Sequence, residues 1–154
     1  QRNERKKWIH CFENVSAVIF VAALSEYNQY LYEDERQNRM TEALTLFSET
    51  INCRWFRNTA IILFLNKSDL FREKIKETPI SVFFDDYSGD DDDFLSSAKH
   101  IETHFLAMNG QSNKQIYPHI TCATSTSSIE QVFSSTQRIV VDASLRKGGL
   151  GGLM

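Results

Sequence analysis

The chain has 154 residues, of which 42% are hydrophobic and 24% charged, and its formal net charge is −3. These values fit one globular domain with a sizeable core, and the small negative charge excludes a general attraction to nucleic acid. Cys11, Cys53 and Cys122 are too widely spaced for a disulfide framework or structural zinc motif, which favours a reducing compartment. The longest apolar run, residues 15–24, is about half of the ~20 residues that a membrane span needs.

Three short apolar segments predict buried β-strands, at residues 17–24, 60–65 and 116–122. They are mostly rich in Val, Ile and Phe, as expected for parallel strands that are covered on both faces. Pro118 weakens the third prediction because proline cannot donate to a sheet hydrogen bond.

Three apolar stripes with helical spacing lie at residues 40–51, 94–108 and 129–143. Ser127 and Glu130 form a capping-box pattern, which predicts that the last helix begins at Ser127 and runs to about Arg146. The alternation of strands and helices predicts an α/β fold with three layers, α/β/α, around a mostly parallel sheet with right-handed crossovers.

The most informative motif, Asn66-Lys67-Ser68-Asp69, follows the second predicted strand. Ligands of such sheets bind beyond the carboxyl ends of the strands. The Asp69 carboxylate can accept hydrogen bonds from the N1–H and 2-amino groups of guanine, whereas adenine offers no donors there. The Lys67 stem can lie across the base, and the Asn66 amide can join neighbouring loops. The motif therefore predicts guanine recognition.

A second loop, residues 121–124, follows the third predicted strand. Small polar residues at a strand end most often form an ordinary tight turn. Combined with the Asn66–Asp69 motif, the loop gains a second interpretation. The backbone N–H of Ala123 can donate to guanine O6, Cys122 forms part of the pocket wall, and Thr124 adjoins the base.

Two other patterns leave alternatives open. Residues 2–12 are basic and aromatic, which fits an exposed helical face and, less well, a nucleic-acid or membrane patch. His100 and His104 lie one helical turn apart, but Glu102 stands at i+2 rather than at the i+1 position of a metalloprotease motif. We interpret the two histidines as a surface pair and expect no metal ligands in this chain.

Three segments together closely resemble heterotrimeric G-protein alpha subunits: QRNERKKWIHCF at residues 1–12, LFLNKSD at 63–69 and TCAT at 121–124. The first is the most specific, and the resemblance covers nearly the whole chain. It implies the C-terminal half of a Ras-like, P-loop NTPase domain over residues 1–147, followed by a flexible glycine-rich tail at 148–154. The P-loop, switch I and helical domain are expected upstream of Gln1.

The resemblance also implies residue roles. Gln1 matches the catalytic glutamine that orients the attacking water, a role established for this class of GTPase. Residues 1–12 match the second switch, which contacts the beta–gamma dimer or effectors. The switch residues implied are Arg5, Lys7, Trp8, Cys11, Phe12 and Glu42, with an Arg5–Glu42 ion pair in the GTP state.

For the longer protein of which this chain would be a part, here called the parent, the resemblance implies a GTPase that uses GTP or GDP with Mg²⁺. The implied partners are a beta–gamma dimer, an effector and a G-protein-coupled receptor, which the last helix would contact. No nucleic-acid partner is expected. The expected location is the cytoplasmic face of the plasma membrane, without an anchor in these residues. The alternative is a non-catalytic interaction fragment that binds beta–gamma or receptor without nucleotide, and the isolated chain is expected to be inactive.

Overall fold

The structure is a computed structural model and describes residues 2–122 and 124–149. Strands and helices alternate along most of the described chain. In order they are α1 (Arg2–Trp8), β1 (Ala17–Ala23), α2 (Arg39–Ile51), β2 (Ala60–Asn66), α3 (Ser68–Lys74), α4 (Phe94–Ala107), β3 (Ile116–Ile120) and α5 (Thr126–Lys147). Short 3-10 helices lie at Ile9–Phe12, Leu24–Glu26, Arg54–Phe56 and Ile80–Val82.

The described strands form one parallel sheet with the order β1-β2-β3, which confirms the predicted α/β class. β2 is central, and Leu63 pairs with Pro118 of β3. Pro118 is accommodated because β3 lies at the edge of this sheet, where a missing N–H leaves no neighbouring strand unpaired. The third strand ends at Ile120, two residues earlier than predicted, because the chain turns there towards α5.

The core lies on both faces of β2. Ile61, Leu63 and Leu65 are fully buried in the main apolar cluster, together with residues of α2 and α4. Phe47 of α2 packs edge-on against Phe105 of α4, with ring centroids 5.4 Å apart. Alternate side chains of a strand point to opposite faces, so Ile62, also fully buried, lies on the face contacted by α5. Helices therefore cover the sheet on two sides.

Polar side chains fix the helix starts. Asn38 accepts from the N–H groups of Met40 (2.8 Å) and Thr41 (3.1 Å) at the beginning of α2, and its amide donates to the Tyr27 carbonyl at 2.7 Å. The predicted start of the last helix was wrong: α5 begins at Thr126, so Ser127 lies inside its first turn. The Ile129 N–H donates to the Ser125 carbonyl at 3.1 Å, so helical hydrogen bonding begins before Ser127.

The last helix ends at Lys147, the final residue of the predicted domain. The predicted tail lies mostly outside the described residues, which end at Gly149. Among the described helices, none is both long enough and apolar enough to cross a membrane.

Candidate functional site

The structure brings the two predicted base-binding loops together at the carboxyl ends of β2 and β3. The Thr121 N–H donates to the Leu65 carbonyl at 2.9 Å and extends the pairing of the two strands. The Ser68 N–H donates to the Thr121 carbonyl at 3.1 Å, and the Thr121 hydroxyl donates to Asn66 Oδ1 at 3.2 Å. These bonds fix one loop against the other, as proposed for Asn66 from the sequence.

Lys67 makes the turn between β2 and α3. Its backbone is left-handed (φ 57°, ψ 41°), and no other described residue except glycine has a positive φ. This conformation costs an ordinary residue roughly 1–2 kcal/mol, and such strain is common at functional sites. The carbonyl of Lys67 accepts from the Phe71 N–H at 3.0 Å, while its side chain is exposed and caps no amide. The side chain is therefore accessible to a ligand.

The remaining base-loop residues border this turn. Asp69 lies in the first turn of α3 with its side chain exposed, so its carboxylate is accessible to a base. In the second loop, Cys122 is half-buried and its Sγ lies 2.9 Å from Thr124 Oγ1. Ala123 lies outside the described residues, so its hydrogen bond to guanine O6 stays a prediction.

The predicted switch residues form an exposed surface. Trp8 is 64% and Phe12 48% exposed, and Arg5, Lys7 and Cys11 are exposed beside them. Glu42 is half-buried in the first turn of α2, and its pairing with Arg5 stays a prediction. Gln1 lies outside the described residues, so its catalytic role also stays a prediction.

A cleft of about 710 Å³ opens at the opposite end of the sheet, bordered by residues 57–60 and 110–115, by Tyr117 and by residues of α5. It adjoins the amino ends of β2 and β3, whereas ligands of parallel α/β sheets bind at the carboxyl ends. Buried Lys114 borders this cleft and donates to the Phe56 carbonyl. Burial lowers the pKa of Lys114 to about 8, although interaction with Cys53 opposes the shift. The cleft therefore lies at the end of the sheet opposite to the two predicted base-binding loops.

The structure contains one cluster of titratable side chains that was not predicted from the sequence. His100 and His104 are not an isolated pair, because the Asp86 carboxylate meets both rings. Desolvation by neighbouring groups raises the pKa of Asp86, but its hydrogen bond with His100 and its interaction with His104 outweigh this, so the pKa is lowered overall. Asp86 lies 14 residues before His100, in the loop that precedes α4. This separation is too long for a short motif, so the sequence carries no local signal of the contact.

A parallel α/β sheet whose central strand leads into an N-K-x-D loop places the chain in the Ras-like class of nucleotide-binding folds. A sequence model of the G-protein alpha subunit matches residues 1–140, and the chain belongs to this family.

Named relatives support the assignment. The chain is 53% identical over 150 residues to the guanine nucleotide-binding protein alpha-1 subunit of Mycosarcoma maydis and to the G(o) subunit alpha of Caenorhabditis elegans. It is 52% identical to the guanine nucleotide-binding protein subunit alpha of Candida albicans. Each match covers 97% of this chain but only 42%, 42% and 35% of these relatives, respectively.

Proposed function

We propose that this chain is the base-reading part of a guanine-nucleotide-binding alpha subunit that switches between GDP and GTP. The observation that supports this most directly is the junction of the two loops, held by the Thr121–Asn66 and Ser68–Thr121 hydrogen bonds. In this proposal, the N–H of Ala123, which follows Cys122 in the second loop, contacts guanine O6. The relatives named above are guanine nucleotide-binding proteins, which supports the same ligand.

Base selectivity follows from complementary hydrogen bonding. An ionised Asp69 presents two acceptors to the two donors on the N1 edge of guanine. Adenine has an acceptor at N1, so the same carboxylate would face it without a donor. Each hydrogen bond to a charged group contributes about 1.5–3 kcal/mol, enough to discriminate strongly between the bases. The exposure of Asp69 leaves these acceptors accessible.

Hydrolysis belongs to the parent protein in this proposal. The chain contains no G-x-x-x-x-G-K-[ST] sequence, and it spans about two fifths of the length of the relatives named above. The base loops, residues 66–69 and 121–124, contain one carboxylate, Asp69, and this proposal uses it for the base. Mg²⁺, which would neutralise phosphate charge, would be held by residues elsewhere in the parent, with Gln1 orienting water.

The exposed segment from Arg5 to Phe12 supports a partner-binding role. Large aromatic side chains contribute most to protein interfaces, and Trp8 and Phe12 stand exposed among cationic neighbours. We propose this surface for the beta–gamma dimer and effectors. Helix α5 exposes Phe133 and Val141 among other apolar side chains, which supports receptor contact there. The parent would act at the cytoplasmic face of the plasma membrane.

The base-reading proposal is tested by nucleotide competition with the Asp69→Asn variant. Asparagine offers one acceptor and one donor, which match the N1–H and 2-oxo groups of xanthine better than the two donors of guanine. In the parent protein, we expect guanine-nucleotide affinity to fall about 10–100-fold and xanthine-nucleotide affinity to rise. Equilibrium binding of fluorescent GDP and XDP measures both.

Asp92→Asn is the matched control, since it removes an exposed carboxylate from the loop before α4 and should change neither affinity. Unchanged preference for guanine in Asp69→Asn, with the protein folded, would refute base reading by this loop.

The second candidate, an interaction fragment without nucleotide, draws support from the exposed Trp8 and Phe12. GTPγS binding and beta–gamma capture by this 154-residue chain separate the two. Capture of beta–gamma that is lost in Trp8→Ala, without GTPγS binding, favours the fragment. Micromolar or tighter GTPγS binding would exclude it, because most phosphate contacts are expected outside this chain.

A further inference from the structure

Three side chains outside the nucleotide loops converge on one point. His100 Nε2 lies 3.1 Å and His104 Nε2 lies 3.2 Å from the same carboxylate oxygen, Asp86 Oδ1. The two Nε2 atoms are 3.2 Å apart. Two imidazole nitrogens and one carboxylate oxygen therefore form a triangle with sides of nearly equal length.

We propose that Asp86, His100 and His104 form a binding site for a divalent transition-metal ion of the zinc type. Zinc bonds to imidazole and carboxylate are ~2.0–2.1 Å long, so two ligands of a tetrahedral site lie ~3.3 Å apart. The observed separations of 3.1, 3.2 and 3.2 Å among His100 Nε2, His104 Nε2 and Asp86 Oδ1 are close to this value. An ion above the triangle could bond to all three atoms with little rearrangement.

The donor types select the class of ion. Imidazole nitrogen suits zinc, copper, nickel and iron, whereas calcium and magnesium prefer sites made of oxygen. The side chains of His100 and His104 are 19% and 29% exposed, and that of Asp86 is 61% exposed. An ion can thus enter from solvent and keep water as a fourth ligand.

Both histidines are positioned before an ion arrives. They stand at i and i+4 on α4 and so share one face of the helix. The buried Phe84 ring packs against both, with centroids 5.6 Å from His100 and 4.8 Å from His104. Tyr87 packs against His100 at 5.0 Å. These aromatic contacts limit rotation of the imidazole rings, so metal binding would cost less conformational entropy.

The loop that carries Asp86 is also fastened to α4. The Tyr87 N–H donates to the Phe84 carbonyl at 2.9 Å, closing a turn with Asp86 inside it. The Tyr87 hydroxyl donates to the Asp90 carbonyl at 2.7 Å and lies 3.1 Å from Ser96 Oγ of α4. The carboxylate is thereby held opposite the two rings.

Gly89 permits this close packing. A Cβ at position 89 would lie 2.5 Å from Ser96 Oγ and 2.6 Å from Tyr87 Oη, shorter than van der Waals contact allows. The tight loop keeps Asp86 near α4 and gives the proposed site three ligands from two segments of the chain.

The test is titration of the 154-residue chain with Co²⁺, followed by its visible ligand-field absorption, and competition with Zn²⁺. We expect one ion per chain. Loss of a second-shell partner typically weakens metal binding about 10–100-fold, so loss of a direct ligand in Asp86→Asn or His104→Ala should weaken it at least as much. Zn²⁺ should raise the unfolding temperature of the original chain and not that of Asp86→Asn.

Two matched controls make the result specific. Asp85→Asn makes the same change one residue away, and it should bind Co²⁺ as the original chain does. His10→Ala tests a competing position, because His10 Nε2 lies 3.8 Å from Cys11 Sγ.

Retained binding in Asp86→Asn, or loss of binding in His10→Ala instead, would overturn the proposal. Absence of Co²⁺ binding by a chain that circular dichroism shows to be folded would overturn it too. Asp86→Asn changes an exposed side chain, so its result does not depend on a repacked core.

Discussion

Replacing Lys67 with glycine should stabilise the fold while weakening nucleotide binding. The left-handed backbone at Lys67 costs roughly 1–2 kcal/mol, and glycine avoids this cost. Glycine also loses more entropy on folding, which offsets about 0.5–1 kcal/mol. We therefore expect the free energy of unfolding to rise by about 0.5–1 kcal/mol. Guanine-nucleotide binding by the parent should weaken, because the stem proposed to cover the base is absent.

The assay is urea denaturation at 25 °C followed by circular dichroism, with Lys67→Ala and Lys67→Val as companions. Alanine removes the exposed side chain but keeps the backbone strain, so its stability should stay within about 0.5 kcal/mol of the original. Valine, which is β-branched, should destabilise because it adopts positive φ poorly. If Lys67→Gly were no more stable than Lys67→Ala, the argument from backbone strain would be refuted.

Three further predictions concern the surrounding fold. Ile62→Ala should lower the free energy of unfolding by about 2–5 kcal/mol, whereas Ile19→Ala should lower it by about 1 kcal/mol. These residues pair with each other on neighbouring strands, but Ile62 is 0% and Ile19 50% exposed. Asn38→Ala should lower the free energy of unfolding by about 2–3 kcal/mol, since it removes both the cap of α2 and the donor to the Tyr27 carbonyl. Asn38→Ser keeps a capping oxygen and should lower it by about 1 kcal/mol. Lys114 has its pKa lowered to about 8 from 10.5, so the folded state binds fewer protons and stability should rise with pH across this window; Lys114→Met should remove that rise.

Each of these has a separate contradicting result, measured by urea denaturation. Equal losses for Ile62→Ala and Ile19→Ala would show that burial does not control their contributions. Equal losses for Asn38→Ser and Asn38→Ala would show that the cap contributes little. For Lys114, the free energy of unfolding of the original chain minus that of Lys114→Met should rise from pH 8 to 10.5. A constant difference would exclude a shifted pKa.

Local pattern was sufficient to predict the sheet and the position of the N-K-x-D loop. The three apolar runs predicted the strands because a strand buried on both faces needs apolar side chains at nearly every position, as β2 shows at Ile61, Ile62 and Leu63. The order of elements then placed the Asn66–Asp69 motif at a carboxyl end. The exact starts of elements were less predictable: Ser127 matched a capping box, yet the turn after β3 started α5 at Thr126.

The sequence by itself determined the α/β class, the strand positions and the N-K-x-D loop, since each depends on neighbours along the chain. Tertiary structure decided which distant groups meet. It joined Thr121 to Asn66 across two strands, and it brought Asp86 onto the rings of His100 and His104. No local spacing encodes such contacts, because they require the whole sheet and its loops to pack first.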